Sequence, residues 1–170
     1  GYSYEDFRYV DFRNKFGKMY WVISLLGIHL FPTAIVLVSL YPIMIVIENG
    51  ISNQFFILLG TLIMVIGAAI SFVADNQLRT HKKGQSNKTI RSGLWKYSRH
   101  PNYFGEVFFW FGVYIASLSS GVFLEASIGI FSMLLLFNLY SIPKMEKKLL
   151  KNKDDYYEVV QSHPRFFIRK

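Results

Sequence analysis

The sequence predicts an all-α fold: a polytopic membrane helical bundle of about four transmembrane helices with amphipathic cytoplasmic segments. Three observations predict it. The 170 residues are 52% hydrophobic and 18% aromatic, and the apolar residues gather in four charge-free runs. These are Trp21–Ile47 (27 residues), Phe55–Ala74 (20), Val107–Leu124 (18) and Ala126–Pro143 (18). A bilayer core takes about 20 residues of helix, so each run is long enough to cross. The basic residues give the third observation. All 19 Lys and Arg fall in three segments: four before Trp21, seven from Arg79 to Arg99 and eight from Lys144 onward. The loops at 48–54 and 119–125 hold none. Four crossings put the three basic segments on one side, which the positive-inside rule makes cytoplasmic together with both termini.

The expected organisation is one membrane domain over residues 1–170. It has an amphipathic segment at 1–20, spans at 21–47, 55–75, 101–119 and 121–143, and a cytoplasmic tail at 144–170. In residues 1–20, Phe7, Val10 and Phe16 oppose Arg8, Arg13 and Lys15, as expected of a helix lying on the membrane surface. The first span carries His29, Pro32 and Pro42. A lone histidine in a span reads as a packed, hydrogen-bonded group, and Pro42 as the end of the helix or a bend in it. Asn49-Gly50 turns the chain into the second span, where Gly60, Gly67, Ala68, Ala69 and Ser71 let another helix come close. That span ends on Asp75 and Arg79, an i, i+4 pair with Ser71 one turn earlier. The loop at 80–96 is polar and basic, able to fold over an anion or to lie on anionic lipid.

The densest chemistry is Gly93-Leu94-Trp95-Lys96-Tyr97-Ser98-Arg99-His100-Pro101-Asn102-Tyr103-Phe104-Gly105-Glu106. Ser98 or His100 is expected to cap a helix starting at Pro101, because proline suits the first turn. Arg99, Asn102 and Glu106 then share a face, and Gly105 permits close approach. An Arg-His pair before a helix is suited to an anion. Ser119-Ser120-Gly121 joins the last two spans as an antiparallel hairpin. Beyond Pro143 a charged helix carries Met145, Leu149 and Leu150 at helical spacing, with Glu146 near the membrane surface. Tyr156, Tyr157, Phe166 and Phe167 suggest a tail that packs back on the protein.

The composition also excludes. A net charge of +8 and a pI near 9.6 would suit nucleic acid, but the charge lines a membrane face. Without cysteine there is no disulfide framework, and the histidines at 29, 81, 100 and 163 show no metal-ligand spacing. A first residue that is Gly1 reads as a processed product or as part of a longer protein.

Asp75-x-Gln77-Leu78, the basic loop with Asn87, and the fourteen residues from Gly93 to Glu106 together resemble the C-terminal half of the steroid 5-alpha-reductase superfamily, in its microbial-type branch. Glu5-Asp6-x-Arg8-Tyr9 and Arg13-x-Lys15-x-Gly17 resemble that branch too. The shorter core Arg99-His100-Pro101-x-Tyr103-x-Gly105-Glu106 is also similar to isoprenylcysteine and phospholipid methyltransferases. The resemblance implies a multi-pass reductase using NADPH, and a chain that is the C-terminal part of a longer architecture. The membrane would be the endoplasmic reticulum in a eukaryote and the inner membrane in a bacterium. Asp75 and Arg79 match cofactor-facing positions, and Asn102 and Glu106 match the Asn and Glu that hold the nicotinamide. Tyr97, Arg99 and His100 match phosphate or ribose contacts, with Tyr103 in the same cofactor-binding set. Two family features differ here: the N-terminal spans that polarise a substrate carbonyl are missing, and Ser141 and Met145, beside Glu146, stand at the C-terminal cofactor positions. Catalytic groups are therefore expected outside this chain, with Glu106 supporting. Three readings follow. One is a reductase of a double bond conjugated to a carbonyl in a lipid-like substrate. The others are an S-adenosylmethionine-dependent methyltransferase and a non-catalytic membrane protein that keeps the cofactor fold.

Overall fold

The computed structural model describes residues 7–84 and 88–166, without the side chain of Phe7. Glu5, Asp6, Asn87 and Phe167, singled out above, lie outside the described residues. Every regular element among the described residues is helical: α1 Phe7–Phe16, α2 Tyr20–Ser24, α3 Phe31–Asn49, α4 Gln54–Lys83, α5 Pro101–Ser117, α6 Leu124–Leu135, α7 Ile142–Asn152 and α8 Tyr156–Ser162. Three helical stretches are long and apolar enough to cross a membrane: Arg8–Asn49, Gln54–Lys83 and Leu124–Asn152. The remaining expected span, α5, has 17 residues and continues as a 3-10 turn over Leu118–Ser120, at the short end of the range for a crossing helix. Large apolar side chains stand in the open along these helices, among them Leu58 and Phe72 (70%) and Leu139 (73%). Such exposure suits hydrocarbon and not water.

Backbone contact between α4 and α5 is the closest in the molecule. Gly60 and Gly67 on one helix meet Gly112 and Gly105 on the other. A Cβ at Gly67 would lie 2.5 Å from Phe109 N and 2.7 Å from Gly105 O. One at Gly60 would lie 2.4 Å from Ala116 N. Both pairs are seven residues apart, two turns of helix, so they recur on one stripe and the two backbones touch along it. Ala68 and Ala69 face outward and take no part. A second close approach joins α3 to α6, where Gly129 meets Ser39; Ser39 Oγ bonds Ile35 O (2.8 Å) and Gly129 O (3.3 Å). Between the helices, Trp110, Val113, Ile130, Met133, Phe137 and Ile142 form the core.

Of the two expectations for Pro42, an end or a bend, the end is ruled out: Pro42 is buried inside α3, which continues to Asn49. Pro32 and Pro143 each follow a π-helical turn, Leu25–Leu30 and Leu136–Ser141. A proline cannot donate to the carbonyl four residues back and its ring crowds that carbonyl. The donor just before it reaches back five residues instead, Phe31 N to Leu26 O and Ile142 N to Phe137 O, which widens the turn.

The N-terminal segment packs back on the chain that follows it. Gly17, at φ +53°, reverses α1 so that Phe12 packs on Gly27 and Tyr9 Oη bonds His29 Nε2 at 2.6 Å. Lys144 Nζ sits 4.5 Å over the Phe12 ring, which ties α1 to the last long helix. The basic segments meet at this end of the bundle. At the other end, Ser52 N and Asn53 N both donate to Ser119 O (2.8 and 3.2 Å), joining the two loops that lack Lys and Arg.

Candidate functional site

The site is built where the end of α4, the loop at 88–100, the start of α5 and the α7–α8 segment converge. Gly93 makes the loop fit. Its φ of +61° is a left-handed conformation, and a Cβ there would stand 2.5 Å from the Gln77 amide. That amide accepts from Leu94 N (3.0 Å), and Trp95 Nε1 donates to Ala74 O (3.0 Å) from a buried position. Gln77-Leu78 and Gly93-Leu94-Trp95 are thus one structural joint. The helix that follows begins at Pro101 with His100 as its N-cap, but no side chain caps it. Ser98 instead accepts from His100 N (3.1 Å) and donates to Arg165 O (2.9 Å), while Arg99 N donates to Pro164 O (3.0 Å). A C-terminal strap, His163–Phe166, therefore binds the Arg-His-Pro turn.

Two polar clusters result. In the first, Asn102 Nδ2 donates to Asp75 Oδ1 (3.1 Å), and Ser71 Oγ lies 3.2 Å from Asn102 O and 3.4 Å from Glu106 Oε1. The expected Asp75–Arg79 pair is not formed among the described residues; Arg79 is exposed on α4 and Asp75 faces α5 instead. Asp75 accepts but does not donate when ionised, so it fixes the Asn102 amide with Nδ2 toward it. Asn102 Oδ1 is then buried without a partner.

Glu146 is the centre of the second cluster. Its Oε1 meets Arg99 Nη1 at 3.0 Å and His100 Nε2 at 2.9 Å, and its Oε2 meets Arg165 Nη2 at 3.6 Å. Arg99 is 11% exposed, His100 3% and Glu146 13%. Arg99 pairs with this carboxylate, on a distant helix, and not with Glu106. Glu146 lies past Pro143, beyond the apolar part of its helix. Burial there opposes its charge, but the His100 hydrogen bond and the guanidinium groups of Arg99 and Arg165 outweigh that and hold the carboxyl below its ordinary range.

Between these clusters lies a cavity of about 130 Å³. Arg99, His100, Asn102 and Tyr103 line it, with Trp95 and Tyr156 among its other walls. Asp75 and Glu106 do not line it; Asp75 bonds the lining residue Asn102, and Glu106 is joined to Ser71. Arg79 and Tyr97 stand apart from it; Tyr97 is 59% exposed, 5.7 Å beneath Lys96 Nζ. The loop's Arg91 is committed to the protein, 3.0 Å from Glu158 Oε2.

A family model described as "Protein of unknown function (DUF1295)" matches residues 1–163. The chain belongs to the DUF1295 family. No curated protein and no solved structure matches it. The matched stretch of this DUF1295 chain holds both clusters except Arg165. It includes two residues that sequence reasoning left without a role, Glu146 as the hub and Tyr156 as a cavity wall. One signal was present: Glu146 is the only acidic residue from 126 to 153, set among five lysines. Tyr156 gave no signal beyond its aromatic neighbours.

Proposed function

We propose that this DUF1295 protein is a membrane-embedded, NADPH-dependent reductase. Its substrate class is a lipid-like or steroid-like molecule with a carbon-carbon double bond conjugated to a carbonyl, as the resemblance to the steroid 5-alpha-reductase superfamily implies. The observation that carries the reading is the Asn102 amide. Its donor end is fixed by Asp75 and its acceptor end is buried and unsatisfied beside a cavity. A buried acceptor without a donor is costly, and a carboxamide N–H₂ supplies the donor it lacks. Asn102 and Glu106 would hold the nicotinamide carboxamide, with Asp75 and Ser71 orienting them. Lys82 and Arg99 would face the phosphates, Arg99 through the part of its guanidinium that Glu146 leaves unused. When bound, NADPH supplies the hydride that adds to the far carbon of the conjugated bond, the near carbon taking a proton. The chain's own residues bind and orient the cofactor and keep charge fixed around it.

The shared Arg-His-Pro core supports S-adenosylmethionine as the competing cofactor, so the test sets the two side by side. Purified protein in detergent is titrated with NADPH, NADH and S-adenosylmethionine, and binding is followed by fluorescence and thermal unfolding. Saturable NADPH binding with no response to S-adenosylmethionine is expected. The reverse pattern would make the protein a methyltransferase, and no response to any of them would leave a non-catalytic membrane protein.

A further inference from the structure

Tyr156 opens α8 and is 1% exposed, among the most deeply buried large side chains in the molecule, yet its hydroxyl has no hydrogen-bond partner. It lines the same cavity as Arg99, whose Nε is also buried and unpartnered. Buried phenol and guanidinium donors are nearly always satisfied, because leaving them dry costs free energy. The charge balance points the same way. Lys82, Arg99 and Lys153 line the cavity with His81 and His100, and no carboxylate among the described residues lines it. Lys153 Nζ donates to a neutral group, Lys88 O, at 2.6 Å. Besides Asp75 on Asn102, two carboxylates bond lining residues, and each is shared: Glu146 between Arg99 and Arg165, and Asp155, which accepts from Thr89, between Arg91 and Lys153, so cations stay in excess. Burial first, and then the charge of Glu146, push the Tyr156 hydroxyl above its ordinary value, so it stays a neutral donor at working pH.

We propose that Tyr156 is a ligand-binding residue of this cavity, its hydroxyl and Arg99 Nε donating to a phosphoryl oxygen of the bound molecule. Two buried donors in a cavity lined by cations and, among the described residues, by no carboxylate select an oxyanion, and phosphoryl groups accept such paired donors well. Placing that phosphoryl in NADPH rests on the reading above; the oxyanion chemistry does not. The α7–α8 segment is then a wall of the binding site and not only a tail folded over it.

Tyr156→Phe tests this in the full chain, because it removes one oxygen and nothing else. The probes are NADPH and inorganic pyrophosphate, read by thermal unfolding and equilibrium titration. If the hydroxyl has no partner without ligand, the ligand-free variant unfolds no lower than wild type. Its affinity for both probes falls about tenfold, the loss of one hydrogen bond to a charged group. Arg99→Lys keeps a charge toward Glu146, loses Nε and is expected to weaken both probes in the same direction. Four other results are decisive. NADPH held equally by wild type and Tyr156→Phe would overturn the role of Tyr156 and leave the NADPH reading standing. Pyrophosphate weakened in the variant, with no NADPH binding to wild type, would uphold the phosphoryl site and sink the NADPH reading. Neither probe binding wild type would overturn both. A ligand-free variant that unfolds lower, with unchanged probe affinity, would show a hydroxyl that serves only the fold.

Discussion

Glu146 faces two guanidinium groups and the His100 imidazole from two other segments of the chain, and this makes it the most consequential single residue of the basic end. Removing one member of a largely buried ion pair leaves charge without compensation and costs about 3–5 kcal/mol. Glu146→Gln is therefore expected to lower stability by about 3 kcal/mol, measured by thermal or denaturant unfolding in detergent. Wild-type stability in the variant would show that the cluster contributes nothing. Asp155 has a parallel role: it accepts from Thr89 N (2.9 Å) and Thr89 Oγ1 (2.8 Å), and Arg91 lies 3.5 Å away. Burial opposes its charge, but the Thr89 hydrogen bonds, Arg91 and Lys153 hold it below its ordinary value. Both carboxyls are thus depressed in the folded state. A depressed carboxyl stabilises fully above its unfolded value and loses that contribution as pH falls through the folded one. Stability from these two groups is expected to be flat from neutral pH to about 5 and to fall below 4.5. In Glu146→Gln the acid loss should shrink; an unchanged pH profile would remove Glu146 from the account.

At the scale of elements, the α4–α5 seam decides how the site is held. Asn102 and Glu106 stand on α5, Ser71 and Asp75 on α4, so their distances follow from the backbone contact at Gly67 and Gly105. A Cβ at Gly67 meets main-chain atoms, which cannot swing aside. Gly67→Ala is expected to cost about 1–3 kcal/mol, the range for overpacking, and to weaken cofactor binding by spreading the polar residues. Ala68→Leu, on the exposed side of the same helix, should change neither. Equal effects from the two would show that the seam is loose. The small-residue stripe was legible in the sequence because periodicity marks it. The π turns were half legible: Pro32 and Pro143 announce a broken bond, but not that the chain answers by widening the turn before them. Gly17 as the reversal of α1 was hidden, since an amphipathic pattern does not say that the chain turns back after it or that Phe12 meets Gly27.

At the scale of the whole molecule, the apolar runs and the grouping of Lys and Arg carried the architecture, because a membrane imposes length and charge rules that can be read locally. The site was only partly legible. Asn102, Glu106 and Asp75 stand near one another, as their helical spacing and the motif resemblance suggested. The destination of Arg99 was not legible, because Glu146 is 47 residues away in sequence and no local rule links them. Orientation follows as a proposal: the basic end is cytoplasmic. A cysteine at Ile51 should label from outside intact cells and one at Ser92 should not; external labelling at Ser92 would invert the topology. The central claim is that Asn102 and Glu106 grip a nicotinamide. Glu106 has one weak internal contact, Ser71 at 3.4 Å, and no ion pair among the described residues, so it contributes little to the ligand-free fold. The decisive measurement is the thermal stability of wild type and Glu106→Gln, each with and without saturating NADPH. Ligand stabilisation grows with concentration over the dissociation constant, so it reports the grip directly. The account predicts equal ligand-free stability and a much smaller NADPH-induced rise in Glu106→Gln. An equal rise in both proteins would contradict it.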